Sequence, residues 1–511
     1  MGTRRYRGAA TYVLSTPPTH LRWAPRESRG ALHLGLSEQP ARKRVFQQPA
    51  NCKYGRLGGA KRRPREGESV SELISVPWAS ATAQAYLQQM GGTLAAMKPR
   101  DLADRVRALA DEHEAWVDGA CLTFYAGTNA MSPAARAMLA SSMATRPSMG
   151  HPGDKYQPGV RFLEQVETLA VDACRRLFRA RFAEVRLPSG SSANLSVFMA
   201  LTRAGDRILA LPEWAGGHPT HREEGMAGLH GLHIRDVPFD PARMQIDLEG
   251  LRRVAREVRP RLIIVGASLV LFPYPLREVR AIAEEIGALV MYDGAHLAGI
   301  IAGGQFQDPL AEGAHLFTSS TYKTLGGPPG GLVLTNDPEI ARRIDAVAYP
   351  GMTANFDCAR VGALAVAAAE LLEFGPAYAR DCLANAQALA QALAADGFEV
   401  VAAAHGFTRS HHIAVDVHAL GGGAPVARRL EGANIILSKF ILPRDAGGPA
   451  GRMSGLRLGL QEVTRRGLGV AEMPAISRLM RRVVLEGADP AVVAAEVRAL
   501  RQRYARVQYC F

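Results

Sequence analysis

The sequence predicts an α/β protein: a mostly parallel central sheet covered by helices, followed by a smaller C-terminal α+β domain. Three observations carry that prediction. Short apolar runs recur at residues 207–211, 262–265 and 288–292, dominated by Leu, Ile, Val, Ala and Met. Runs this short, without polar alternation, suit strands buried on both faces, the situation in a parallel sheet. Segments of helical periodicity separate the runs, as crossovers between parallel strands require. Hydrophobic residues make up 47% of the 511, enough for sizeable cores and too many for a disordered chain.

The elements follow in order. Residues 1–70 hold fifteen Lys and Arg against four Asp and Glu, which is +11 of the formal net charge of +13. Clusters such as Arg42-Lys43-Arg44 and Lys61-Arg62-Arg63-Pro64-Arg65 show no helical or strand period. Residues 1–75 are therefore expected to be a basic disordered tail or upstream sequence from a misassigned start. The other 441 residues hold 46 basic and 44 acidic side chains, and a body so near neutrality argues against a nucleic-acid partner. From Trp78 the pattern turns helical, with Leu102, Val106, Leu109 and Ala110 in one stripe, so residues 76–150 are expected to form an N-terminal helical arm. Residues 151–370 carry the sheet pattern of the large domain. Residues 371–511 are expected to form the small domain, with a strand at 412–417, a Gly421-Gly422-Gly423 turn and helices near 473–485 and 490–504. Six cysteines without a C-x-x-C pair suggest neither a disulfide framework nor a metal site. No apolar run approaches the roughly 18 residues of a membrane span. The opening residues lack the apolar segment of a secretory signal, so a cytoplasmic protein is expected.

Ligands of such sheets bind beyond the carboxyl ends of the strands, which makes the residues after each run the candidates. Pro188-Ser189-Gly190-Ser191-Ser192-Ala193-Asn194 precedes an amphipathic helix, and small residues at a helix N-terminus leave backbone N–H groups open to an anion. His218 follows Gly216-Gly217, where an imidazole can stack on a flat ligand. Asp293 follows the 288–292 run. Lys323 lies between the hydroxyl cluster Thr318-Ser319-Ser320-Thr321 and the loop Gly326-Gly327-Pro328-Pro329-Gly330-Gly331. Taken singly, these are a helix cap, a loop histidine, a strand-end cap and a surface lysine. In this order, an anion cradle, an aromatic stacker, an acid and a lysine are the parts that hold pyridoxal phosphate. The lysine forms the covalent link and the acid keeps the pyridine nitrogen protonated.

Five stretches make a resemblance specific: residues 188–194, Gly216-Gly217-His218-Pro219-Thr220-His221, Asp293-Gly294-Ala295-His296-Leu297-Ala298-Gly299, Thr321-Tyr322-Lys323-Thr324-Leu325 and Ser454-Gly455-Leu456-Arg457-Leu458-Gly459. Over roughly residues 80–505 the chain resembles the serine (glycine) hydroxymethyltransferases, pyridoxal-phosphate enzymes of the aspartate-aminotransferase fold, fold type I. The resemblance implies that Lys323 binds the cofactor covalently, Asp293 pairs with its ring nitrogen and His218 stacks on the ring. Ser268 and His296 would lie near its phenolic oxygen, and Ser189, Gly190 and Ser191 around its phosphate. Arg457 would clamp the substrate carboxylate in a bidentate fork, with Tyr156 also on the substrate side. The base would be His221, His296 or a water. A homodimer or homotetramer with sites shared between subunits, no metal and no membrane are also implied.

The chain departs from the family pattern on the substrate and folate side. Where the family has Glu-Gly-Tyr-Pro-Gly, this sequence reads Met149-Gly150-His151-Pro152-Gly153; the paired tyrosines are Tyr156-Gln157 and the upstream tyrosine is Pro147. The Ala-Ser-Glu-Asn stretch reads Ala126-Gly127-Thr128-Asn129, and the histidine before the lysine is Tyr322. Loss of the Glu removes a general acid/base that typically contributes about 10²–10⁴-fold, which puts tetrahydrofolate in question and leaves the pyridoxal chemistry intact. The expected activity is making or breaking the Cα–Cβ bond of a β-hydroxy-α-amino acid, of the serine/glycine or α-methylserine hydroxymethyltransferase type. Its small-molecule partners are then an amino acid and an aldehyde or folate. A folate-independent threonine-type aldolase or transaldolase is the alternative. From another class, the reading is a non-catalytic pyridoxal-phosphate protein or an RNA-binding protein using the basic tail. Deleting residues 1–70 is expected to leave activity unchanged when full-length and shortened holoenzyme are assayed side by side; activity lost with the tail would favour the RNA-binding reading.

Overall fold

The structure, a computed structural model, describes residue 76 and residues 78–95, 97–448 and 453–511. The expected basic tail, residues 1–75, lies outside the described residues. Seven strands form the central sheet: β1 (Phe182–Glu184), β2 (Arg207–Ala210), β3 (His233–Asp236), β4 (Leu262–Val265), β5 (Leu289–Asp293), β6 (Leu316–Ser320) and β7 (Gly331–Thr335). Their order is β1-β7-β6-β5-β4-β2-β3, parallel throughout except for β7, which runs antiparallel to both its neighbours. The three apolar runs of the sequence are β2, β4 and β5, adjacent in the middle of the sheet. Their lack of alternation has a simple cause. Ile263 and Val265 of β4 enter one core, Leu262 and Ile264 the core on the opposite face, so no position meets water.

A second sheet of β8 (Glu399–Val400), β9 (His412–Asp416), β10 (Ser438–Phe440) and β11 (Gly455–Gly459) is antiparallel in the order β8-β9-β11-β10. With helices Gly423–Gly432, Met473–Val484 and Pro490–Gln502 it builds a separate core. The two cores meet along one helix of 38 residues, Cys358–Ala395. Its buried side chains as far as Cys382 belong to the large core, and those from Ala386 to the small one. Residue 371, where the sequence suggests the small domain begins, therefore lies inside an unbroken helix.

The expected N-terminal arm divides. Helix Ala81–Ala95 falls in a separate unit, and residues 97–511 form one compact unit. Within the latter, helix Pro99–His113 leaves Leu102, Val106 and Leu109 48%, 61% and 45% exposed. Leu122–Thr123 pairs in parallel with Ile435–Ile436, and Leu122 and Phe124 enter the small core. Among the described residues no helix is long and apolar enough to cross a membrane.

One buried ion pair ties the long helix to the short helix Gln461–Arg465 after β11: Arg465 Nη2 lies 2.9 Å from Glu370, both side chains fully buried. Arg465→Met leaves an uncompensated buried carboxylate and is expected to cost about 3–5 kcal/mol, read as a lower midpoint of denaturant unfolding.

Candidate active site

The carboxyl ends of β4, β5 and β6 converge on Asp293, the last residue of β5. Its Oδ1 accepts from Ala295 N at 3.0 Å, and its Oδ2 from Asn194 Nδ2 at 2.8 Å. His221 Nε2 lies 3.1 Å from the same Oδ2. Burial alone would raise this carboxyl's pKa, but the hydrogen bonds from His221 and Asn194 outweigh it and hold the pKa below the usual range. Asn194 also donates to Thr220 Oγ1 at 3.0 Å and accepts from Thr318 Oγ1 at 2.8 Å. Thr220 in turn offers its backbone N–H at 3.1 Å and its hydroxyl at 2.8 Å to His218 Nδ1. The His218 proton is therefore on Nε2, and burial pushes its pKa down to about 4 despite Asp293.

Lys323, on the loop after β6, is buried, with Nζ 3.1 Å from His296 Nε2. Its pKa falls to about 8 through burial, with Asp293 opposing and Arg457 adding to the shift. His296 Nδ1 donates to Ala126 O at 3.1 Å, so Nε2 holds the lone pair that faces the lysine. Burial and the charges of Lys323 and Arg457 keep this imidazole neutral, well below its ordinary pKa. Arg457, in the middle of β11, donates from Nη1 to Ser268 O at 2.6 Å and lies 4.7 Å from the Phe440 ring centre. Burial lowers its pKa to about 10, which leaves it charged at neutral pH. Its Nε is buried and has no hydrogen-bond partner among the described residues.

Two cavities share His218, Ser268, His296, Tyr322 and Lys323. The smaller, about 70 Å³, is lined by Ser189, Gly190, Ser191, Asn194, Asp293 and Ser320. Ser189 caps helix Gly190–Leu201, its Oγ accepting from Ser192 N at 3.0 Å. A Cβ on Gly190 would lie 3.1 Å from Ser320 Cβ, so the glycine lets the helix start approach the end of β6. The larger cavity, about 350 Å³, is lined by Tyr125, Gly127, Glu213, Lys439, Phe440 and Arg457. The structure thus brings together every residue singled out in the sequence except two. His221 sits behind, against Asp293. Tyr156 lies outside both cavities, 81% exposed beyond the hairpin Gly150–His151/Asp154–Lys155. Another cavity, of about 700 Å³, lies against β1 and contains none of this set.

Several working parts were not singled out. In the sequence Asn194 is only the end of a motif, and Asn129, whose Nδ2 donates to Lys323 O at 2.9 Å, only part of a stretch. His412 enters the sequence reading only as the first residue of a strand, and Gln461 and His411, whose ring lies 4.0 Å from that of His412, belong to no motif. Their signal was a polar residue on an otherwise apolar face, visible for Asn194 next to Ala193 and Val197.

An amine made nucleophilic by burial, near an acid kept ionised and an anion cradle, is the arrangement that pyridoxal-phosphate enzymes use. The chain belongs to the serine hydroxymethyltransferase family, whose profile matches residues 104–480. An α-methylserine aldolase from a Ralstonia species is 40% identical over 437 residues, 86% of this chain and 99% of the relative. The serine hydroxymethyltransferase of Methanopyrus kandleri is 44% identical over 411 residues, 80% of this chain and 95% of the relative. The L-threonine transaldolase of Pseudomonas fluorescens shares the fold, with a TM-score of 0.74 at 24% identity over 84% of this chain and 96% of that one. The chain is a pyridoxal-phosphate enzyme of hydroxymethyltransferase type that makes or breaks the Cα–Cβ bond of a β-hydroxy-α-amino acid.

Because burial depresses Lys323, its reactive neutral amine dominates above about pH 8. Uptake of pyridoxal phosphate by the apoprotein, followed by absorbance, should accelerate as pH rises through about 8 and level off above it. An unperturbed lysine would place that inflection near about 10.4.

Proposed function

We propose that the enzyme acts on β-hydroxy-α-amino acids bearing a carbon substituent at Cα, with α-methylserine as the type, and releases formaldehyde without tetrahydrofolate. One observation carries this reading. Gly127 lines the larger cavity where the family pattern has a serine, and a Cβ there would lie 2.8 Å from the Tyr125 ring. The tyrosine ring crosses the space a serine side chain would take. That wall offers aromatic carbon and bare glycine, which suits a methyl group better than a polar one. The α-methylserine aldolases of Ralstonia and Variovorax paradoxus among the relatives agree in kind. Met149, in place of the family's Glu, brings no carboxylate for a folate step.

Lys323 would hold the cofactor covalently, Ser189, Gly190 and Ser191 its phosphate, Asp293 its ring nitrogen, Ser268 its phenolic oxygen and His218 one face. When bound, pyridoxal phosphate supplies a sink for the electron pair released as the Cα–Cβ bond breaks. Arg457, which lines the larger cavity, fixes the substrate carboxylate and so sets the orientation of that bond. His296 Nε2, unprotonated, accepts the β-hydroxyl proton as the C–O bond becomes the carbonyl of formaldehyde. A proton returns to Cα, and α-methylserine becomes alanine and formaldehyde. His221 is committed to Asp293 and keeps the acid ionised. Two copies associate in the cytoplasm, the exposed Tyr156 serving the partner's site and the Leu102, Val106 and Leu109 stripe covered between them. Transfer from serine to a folate is the second reading, favoured by the identity to the Methanopyrus enzyme.

The test is aldehyde release from α-methylserine and from L-serine, with and without tetrahydrofolate, against Lys323→Ala. Folate-independent release, faster from α-methylserine by about 10-fold or more, is expected. A requirement for tetrahydrofolate would establish the second reading, and turnover only with glycine and an added aldehyde would point to a threonine-type aldolase or transaldolase.

A further inference from the structure

Behind the site, three segments meet at the fully buried side chain of Gln461, the first residue of the helix after β11. Its Nε2 donates to Tyr125 O at 2.9 Å and to Thr128 O at 2.7 Å, which uses both amide hydrogens. Its Oε1 can then only accept, and His411 Nδ1 lies 2.9 Å away. His411 must therefore carry its proton on Nδ1. Glycine at 459 admits this arrangement: a Cβ there would collide with Gln461 Oε1 and lie 2.7 Å from Ala126 Cα. Next to Gln461, Glu462 Oε2 accepts from Thr128 Oγ1 at 2.8 Å.

The segment held in this way reaches the site at two points. Ala126 O accepts from His296 Nδ1, which leaves the Nε2 lone pair facing Lys323. Tyr125 and Gly127 form a wall of the larger cavity. The strand that Gln461 follows carries Arg457. An apolar side chain of similar volume at 461 would fill the space but leave two carbonyls and the His411 N–H unpaired.

We propose that Gln461, oriented by His411, is a positioning residue that sets the segment 125–128 against the Arg457 strand and thereby fixes both the tautomer of His296 and the wall beside the substrate Cα. The substrate part rests on the function proposed above; the tautomer part does not.

The apoprotein labelled with ¹⁵N in its histidine rings reports both tautomers by long-range ¹H–¹⁵N correlation, with His411→Asn identifying the His411 signals and His296→Gln those of His296. In Gln461→Leu, His411 is expected to lose its Nδ1–H form and His296 to become a mixture. In the holoenzyme, kcat should fall by about 10²-fold with a smaller change in KM, and the preference for α-methylserine over L-serine should shrink. His411→Asn, which keeps an N–H donor, should retain more of that preference than His411→Phe. If Gln461→Leu does not fold, His411→Phe is read by the His296 signals and the substrate ratio in its place. Unchanged His296 signals and an unchanged ratio in a folded variant, even with a lower Tm, would overturn the proposal. If the wild type releases no aldehyde, the proposed function fails and the ring-nitrogen signals still decide the role of Gln461.

Discussion

Asp293 is a carboxylate placed at the buried end of a parallel strand, and the surrounding architecture is the set of donors that makes this tolerable. An unpaired charge there would be severely penalised. The donors come from three different elements: the turn after β5, the helix that begins at Gly190, and the loop around His221. Satisfying one acid therefore locks the anion cradle, the stacking histidine and the strand end into a single register. The same logic extends outward to His218 through Thr220, with the hydrogens of Asn194 and Thr220 assigned.

Charge balance follows from the same carboxylate. Two buried cations, Lys323 and Arg457, face one buried anion, so the cavities carry a local excess of positive charge. His218, His296 and His412 are neutral because burial and those cations both oppose protonation. A ligand bearing a phosphate at one end and a carboxylate at the other relieves that excess at both ends. The site is prepared for doubly anionic occupants, and the neutral imidazoles are left as proton acceptors.

The sequence made the parts legible where one residue type has one use in its place. A serine-glycine helix start, a strand-end acid and a lysine beside a Gly/Pro loop can each be recognised locally, and β2, β4 and β5 followed from apolar runs too short for helices. The supports were illegible because their partners are remote: Asn194 is 99 residues from Asp293, and Gln461 is 336 from Tyr125. Nothing local marks a glutamine as the holder of a distant loop. The change from large to small core was hidden for a different reason. The Ala-rich pattern of residues 358–395 continues across it without a break, because both cores use the same helix.

That shared helix constrains how the site can open. At 38 residues it is a rod of roughly 57 Å, gripped by one core over about its first seven turns and by the other over about its last three. A loop between cores would permit a wide swing, whereas a rod held at both ends permits only flexure. Its weakest point in bending is Pro376, which has no N–H for the backbone ladder. A bend there would have the compliance of a leaf spring, shifting the Arg457 strand relative to Lys323 without parting the two cores.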